Sequence, residues 1–203
     1  TRYIGDWSSD VCSSDLFPDR PLVKTVDEFV AFAREAYGSD ADEFLNLCKS
    51  DTGSISEMLY RATVSHLEYS IRLIGKAKKR TGDKTPIYYW VFNAGIPGWD
   101  NPGAFHSVDL WFFFETLAKC WRPFVGMHYD LARKMCNYWA NFIRTGDPNG
   151  KDADGSDMPF WKPFTEEDPN RICFYDEVCV DNRGPDELMK FLMRQYLKKH
   201  KQC

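Results

Sequence analysis

Residues 86–92, P-I-Y-Y-W-V-F, form an unbroken aromatic and β-branched run. A short apolar run of this composition reads as a strand. It does not alternate, so it is expected to be buried on both faces, as in a sheet with helices packed on either side. The run gives way to residues 93–103, where three glycines and two prolines break regular structure. Loops that leave the end of a buried strand carry the chemistry of α/β sheets. The strand sits among longer helical stretches, so the fold class reads as α/β, mostly helical with a few buried strands.

The helical stretches have their own signals. Residues 25–37 predict a helix capped by Thr25, with Glu28 three positions on, a capping-box pattern. Val26, Phe29, Val30 and Ala33 recur at helical spacing, and Gly38 stops the run. A second short helix is expected over 40–49, with Phe44, Leu45 and Cys48 on one face. A long helix follows from Ser54 or Ser56 to Lys79, its apolar face drawn through Leu59, Ala62, Leu67, Ile71 and Ile74. After a turn at 81–83 and the strand, helices are expected from 107 or 108 to 120 and over 129–144. Residues 145–155 read as an exposed, turn-rich connection. Residues 171–175 and 178–180 are strand candidates in a possible hairpin, and 185–199 a final helix through Leu188, Phe191, Leu192 and Tyr196. No internal repeat or linker forces a domain boundary.

Composition narrows the function classes. The net charge is −4, and the basic residues at 76–80 and 198–201 form short runs suited to helix C-termini. A nucleic-acid partner would call for a clustered basic face. No apolar run reaches the length of a membrane span. Aromatic residues make up 16% of the chain, which predicts a ring-rich core or a ring-lined pocket. None of the seven cysteines forms a C-x-x-C pair, which argues against a zinc knuckle or a thioredoxin-type site. Cys173 and Cys179 could pair across the expected hairpin. The default for all seven is the reduced thiol acting as a small hydrophobe.

Residues 1–16, TRYIGDWSSDVCSSDL, show no periodicity and repeat S-S-D. They can be read as a disordered polar tail. The same string is also the in-frame translation of a common indexed short-read sequencing adapter. Residues 1–16 are therefore expected to be foreign to the protein, with native sequence from Phe17 onward, and are set aside from fold reasoning.

Four histidines are the candidates for acid–base work. His66 lies mid-helix and reads as structural. His200, in a basic run, reads as solvated, and His128, near a helix start, as a polar surface residue. His106 differs: it follows the strand and the Gly/Pro-rich loop, in G-A-F-H-S-V-D-L. A general base needs such a projecting position and a side chain that titrates near neutrality. The acidic cluster Asp147, Asp152 and Asp154 does not meet the EF-hand spacing, so it reads as a solvated turn.

Residues 103–114, G-A-F-H-S-V-D-L-W-F-F-F, resemble the catalytic-histidine motif of the type-B carboxylesterases: G-A-x-H, an acid three positions on, then an aromatic-rich helix. Residues 137–150, N-Y-W-A-N-F-I-R-T-G-D-P-N-G, are similar to the family's W-x-x-F-x-x-T-G-D-P-N segment. Residues 159–164, P-F-W-K-P-F, resemble the P-x-W-P-x-Y element that follows. All three stand in the family's order and spacing. Lys162 in place of a common proline, and the bulky 111–114 run, depart from the pattern.

The resemblance implies that residues 17–203 are the C-terminal portion of an α/β-hydrolase domain. In that scheme a serine attacks the ester carbonyl, His106 moves its proton, an acid orients the imidazole and backbone N–H groups hold the oxyanion. A small carboxylic ester is the implied substrate, and no cofactor or metal is implied. The family's chain order is serine, acid, histidine. This chain has no G-x-S-x-G, and the family's acid would fall about where residues 1–16 join. The chain alone is therefore expected to be inactive. Asp109 matches the motif's acidic position and is expected to cap a helix or hold the loop. Two other readings remain: a fragment of a non-catalytic, cholinesterase-like binding protein, and a free-standing helical domain. Against the second, the strand at 87–92 shows no evident partner strand.

Overall fold

The computed structural model describes residues 23–49, 54–100 and 102–200. Residues 1–16 lie outside the described residues, as do the side chains of His66 and Leu67. The chain divides into two compact units. One spans 86–183; the other joins the stretch before Pro86 to the final helix.

The helical unit begins with α1, Val26–Tyr37. Thr25 Oγ1 accepts the Glu28 N–H at 3.2 Å and the Glu28 carboxylate accepts the Thr25 N–H at 3.1 Å, so the expected capping box is formed. Helix α2, Ala41–Cys48, and the long α3, Ile55–Thr81, follow. Helix α6, Glu187–His200, packs along α3 and is tied to α2 by Arg194 on Glu43 at 2.7 Å and Lys198 on Asp40 at 2.7 Å. Phe29, Phe44 and Phe191 close the core, with Tyr37 and Phe44 ring centroids 4.5 Å apart. Among the side chains described, the buried stripe of α3 shares only Ala62 with the expected one. It runs through Met58, Ala62, Ser65, Tyr69 and Arg72, and Ile74 is 54% exposed. Apolar residues occupy several faces of α3, and its neighbours decide which face is covered.

The second unit holds the sheet. Strand β1, Trp90–Phe92, pairs parallel with β2, Arg171–Phe174, which pairs antiparallel with β3, Val178–Asp181. The hairpin expectation holds, and β2 is the partner strand that the apolar run lacked in the sequence reading. The run itself departs from expectation. Only three of its residues are strand, and these are half-buried. β2 takes one edge of β1, and among the described residues no strand takes the other, so its side chains stay partly open. Upstream, Ile87 O accepts from Phe164 N at 2.7 Å, and Tyr89 O accepts from Ile172 N at 3.0 Å and Trp161 Nε1 at 3.0 Å.

Between β1 and β2 lie α4, Val108–Phe113, and α5, Gly126–Thr145. The helix expected through 120 stops at Phe113. Thr116 N–H reaches Trp111 O at 2.9 Å, and Glu115 N–H reaches Phe112 O at 3.1 Å with Glu115 at φ 48°. This Schellman closure needs a left-handed residue, usually glycine, and here glutamate fills it. A 3-10 turn, Leu117–Lys119, follows. Helix α5 starts three residues earlier than expected, at Gly126. The core joins Phe112, Phe113, Met135, Tyr138, Ile172 and Phe174, with Phe113 and Trp139 ring centroids 4.7 Å apart.

Cys173 and Cys179 face one another across the hairpin register, and both are free thiols. Of the cysteines described, Cys48 and Cys173 are buried, Cys120 and Cys136 are half-buried and Cys179 is exposed.

Candidate active site

The loop that leaves β1 is held by side chains at both ends. Asn93 N–H extends the pairing with Phe174 O at 2.9 Å, and Gly95 N–H donates to Asp176 Oδ1 at 2.9 Å. His128 takes the other side of Gly95. Its Nδ1 accepts the Val125 N–H at 3.0 Å, so Nε2 carries the proton and donates to Gly95 O at 3.1 Å. The sequence reading put His128 on the surface. It is buried, with its ring against Phe124, and both ring nitrogens are engaged in holding the loop to the start of α5. The outward position expected near a helix start is turned inward by the Val125 N–H and the Gly95 carbonyl.

Arg122 holds the next stretch. Its Nη1 donates to Pro97 O at 3.0 Å and to Asp100 Oδ1 at 2.9 Å, and its Nη2 to Asp100 Oδ2 at 2.9 Å. The guanidinium lies over the Trp121 ring at 4.6 Å and the Phe105 ring at 5.5 Å, stacking that suits its flat, weakly hydrated face. Only 8% of the side chain is accessible. Gly98 permits this approach: a Cβ there would sit 2.4 Å from Asp100 Oδ1 and 2.5 Å from Arg122 Nη1. The sequence reading missed Arg122. Its signal was an arginine inside an aromatic cluster, C-W-R-P-F.

His106 sits on the turn that follows. Val108 N–H closes it onto Phe105 O at 3.2 Å, with Ser107 left-handed at φ 63°. Phe105 packs edge-on to Trp111, and Val108 is fully buried, so the residues flanking the turn are anchored in the core. His106 itself is exposed, and its ring makes no hydrogen bond among the described residues. Asp109 lies one helical turn on. Burial pushes its carboxyl up, against the backbone N–H groups of Asp109 and Leu110 and the charge of His106, which pull it down. Asp109 stands in the first turn of α4, whose N-cap is Ser107 with no side-chain cap hydrogen bond.

The other motif residues staple the structure. Asn149 Oδ1 accepts the Trp161 N–H at 2.7 Å and Asn149 Nδ2 donates to Trp161 O at 2.9 Å, locking the G-D-P-N turn onto the tryptophan of the third motif. Asp152, expected to be solvated, is buried. Its carboxylate accepts from Arg133 Nε at 3.0 Å, Arg133 Nη2 at 3.1 Å and Asn137 Nδ2 at 2.9 Å, a bidentate pair that ties the turn to α5. Among the described residues no group of three metal-ligating side chains converges, and no helix is long and apolar enough to cross a membrane. His200 is exposed and stacks on Tyr196 in the helical unit.

The strand, the Gly/Pro-rich loop that leaves it, the exposed histidine and the aromatic helix after it follow in the order of the motif at residues 103–114. The family model described as the carboxylesterase family matches residues 23–192. The chain belongs to the carboxylesterase family. It is 32% identical over 93 residues to acetylcholinesterase 1 of Caenorhabditis elegans, an alignment covering 45% of this chain and 15% of that protein. It is 32% identical over 92 residues to cocaine esterase of Homo sapiens, covering 42% of this chain and 15% of that protein. Among solved structures, a PNB esterase superposes with a TM-score of 0.60 at 17% identity, covering 86% of this chain and 34% of that one. This carboxylesterase chain has the fold of a portion of an α/β-hydrolase. The matched stretches cover 15% of the length of each of these two curated relatives.

Proposed function

We propose that this chain is the histidine-bearing C-terminal portion of a serine carboxylic-ester hydrolase, with His106 as the group that takes the serine proton and returns one to the leaving alcohol. The observation that carries this reading is the position of His106: exposed, on an anchored turn beyond the loop leaving β1, within G-A-F-H-S-V-D. In this reading the nucleophilic serine, the orienting acid (glutamate in the usual Ser-His-Glu arrangement) and the oxyanion donors are supplied by parts of the α/β-hydrolase fold outside residues 17–203. A general base works from such a position when an acid orients one ring nitrogen and the nucleophile meets the other. The substrate is a small carboxylic ester, and no cofactor is needed.

Reading the source locus upstream of the Phe17 codon tests the proposal. A frame that contains G-x-S-x-G and an acid ahead of Phe17 supports it. An intact frame with the serine replaced makes the parent a non-catalytic relative and overturns it. In the full-length enzyme, His106→Ala is expected to abolish turnover of 4-nitrophenyl butyrate to within roughly 10³–10⁴-fold of the uncatalysed rate. Residues 17–203 alone are expected to show no hydrolysis, and detectable turnover by them would contradict the assignment of the serine to earlier sequence.

A further inference from the structure

We propose that Arg122 is a positioning residue for His106: it holds the loop from β1 in the one arrangement that presents the imidazole. This rests on the role of His106 proposed above. Three observations converge on it. The guanidinium spends Nη1 and Nη2 on Pro97 O and both oxygens of Asp100, bridging two points of the loop. Its face covers the ring of Phe105, the residue before His106, so the clamp reaches the histidine turn by direct contact. Gly98 leaves the space that the ion pair fills, since a Cβ there would meet both partners.

The geometry is specific to arginine. A bidentate grip on a carboxylate needs the planar fork, and the stacking over Phe105 and Trp121 needs its delocalised face; a lysine supplies one point charge and neither. Removing the side chain leaves the Asp100 carboxylate without its partner and the Pro97 carbonyl without this donor. The Phe105 ring loses its cover, and the 105–108 turn is released from the loop while Val108 stays in the core. His106 would then sample several orientations.

The full-length esterase with 4-nitrophenyl butyrate as substrate gives the test. Arg122→Gln is expected to lower kcat by about 10–100-fold with KM little changed, the size of effect that a misplaced reacting group produces. It should also move the acidic limb of the pH–rate profile, because the surroundings of the imidazole change. Arg122→Lys should recover part of the activity, and Gly98→Ala should reproduce the loss by forcing the ion pair apart. A second readout is independent of turnover: the rate at which diethylpyrocarbonate modifies His106, followed by peptide mass spectrometry, should differ between wild type and Arg122→Gln. If kcat, pH profile and modification rate all match wild type, the proposal is overturned. It is equally overturned if activity falls only in step with the folded fraction, with wild-type kcat per titrated site. If His106→Ala keeps full activity, the role of His106 fails instead, and the modification rates still decide whether Arg122 orders the turn.

Discussion

Asp109 illustrates how one carboxylate can match a family motif and serve structure. Burial disfavours its charged form more than the nearby N–H groups and His106 favour it, so its pKa in the fold lies above the ordinary 3.8. A raised carboxyl contributes fully below its unfolded value and loses that contribution as pH rises through the folded one. Asp109→Asn is therefore expected to raise Tm at pH 7 and to leave it unchanged near pH 3, which thermal melts across that range will show. Asp181 has the opposite sign. Burial raises it, but Arg171 and Arg183 outweigh burial and bring it down to about 2. Its contribution is present above pH 3.8 and is lost as pH falls towards 2, so the melting difference between wild type and Asp181→Asn should shrink over that window.

At the level of elements, two helix ends were set by different rules. Thr25 follows the common one, and Thr25→Ala should cost about 1 kcal/mol of stability in urea unfolding. The end of α4 does not. Glu115 occupies a left-handed position at φ 48° where glycine is the usual residue, and its carboxylate lies against the Cys136 thiol, which burial and this charge push up. Glu115→Gly should release the backbone cost and stabilise the protein by up to about 1 kcal/mol, offset in part by the lost Cys136 contact. A destabilised variant would mean that the side-chain contact outweighs the backbone strain. The early stop of α4 turns the chain so that Leu117 is buried and Arg122 comes over the loop.

At the scale of the molecule, the sheet unit leaves large apolar side chains open. Trp99 is 91% exposed and Ile143 71%, with Phe114, Trp121 and Phe160 also exposed. Where such side chains adjoin, they form the kind of patch that proteins normally cover. The chain expressed alone is expected to self-associate, seen as a concentration-dependent rise in mass by light scattering; a cooperatively melting monomer at all concentrations would refute this. The buried side is conventional by contrast. Phe112 is fully enclosed, so Phe112→Ala should cost about 3–5 kcal/mol.

Local chemistry was readable from residues alone. The capping box at Thr25, the hairpin at 171–181, the loop after 92 and the exposed histidine at 106 each depend on neighbours within a few positions, and each was legible. The three motifs carried the family for the same reason. What the sequence could not show depends on partners far along the chain. His128 is turned inward by Gly95, 33 positions away, and Arg122 is defined by Pro97, 25 away, and by Asp100, 22 away. Asp152 is buried because Arg133 and Asn137 approach it from α5. Strand β1 is short and half-open because pairing is settled by which strands arrive beside it, not by its own apolar run. Local propensity names an element and its ends; only the packed chain decides which polar groups meet, as His128 meets Gly95, Arg122 meets Asp100 and Asp152 meets Arg133.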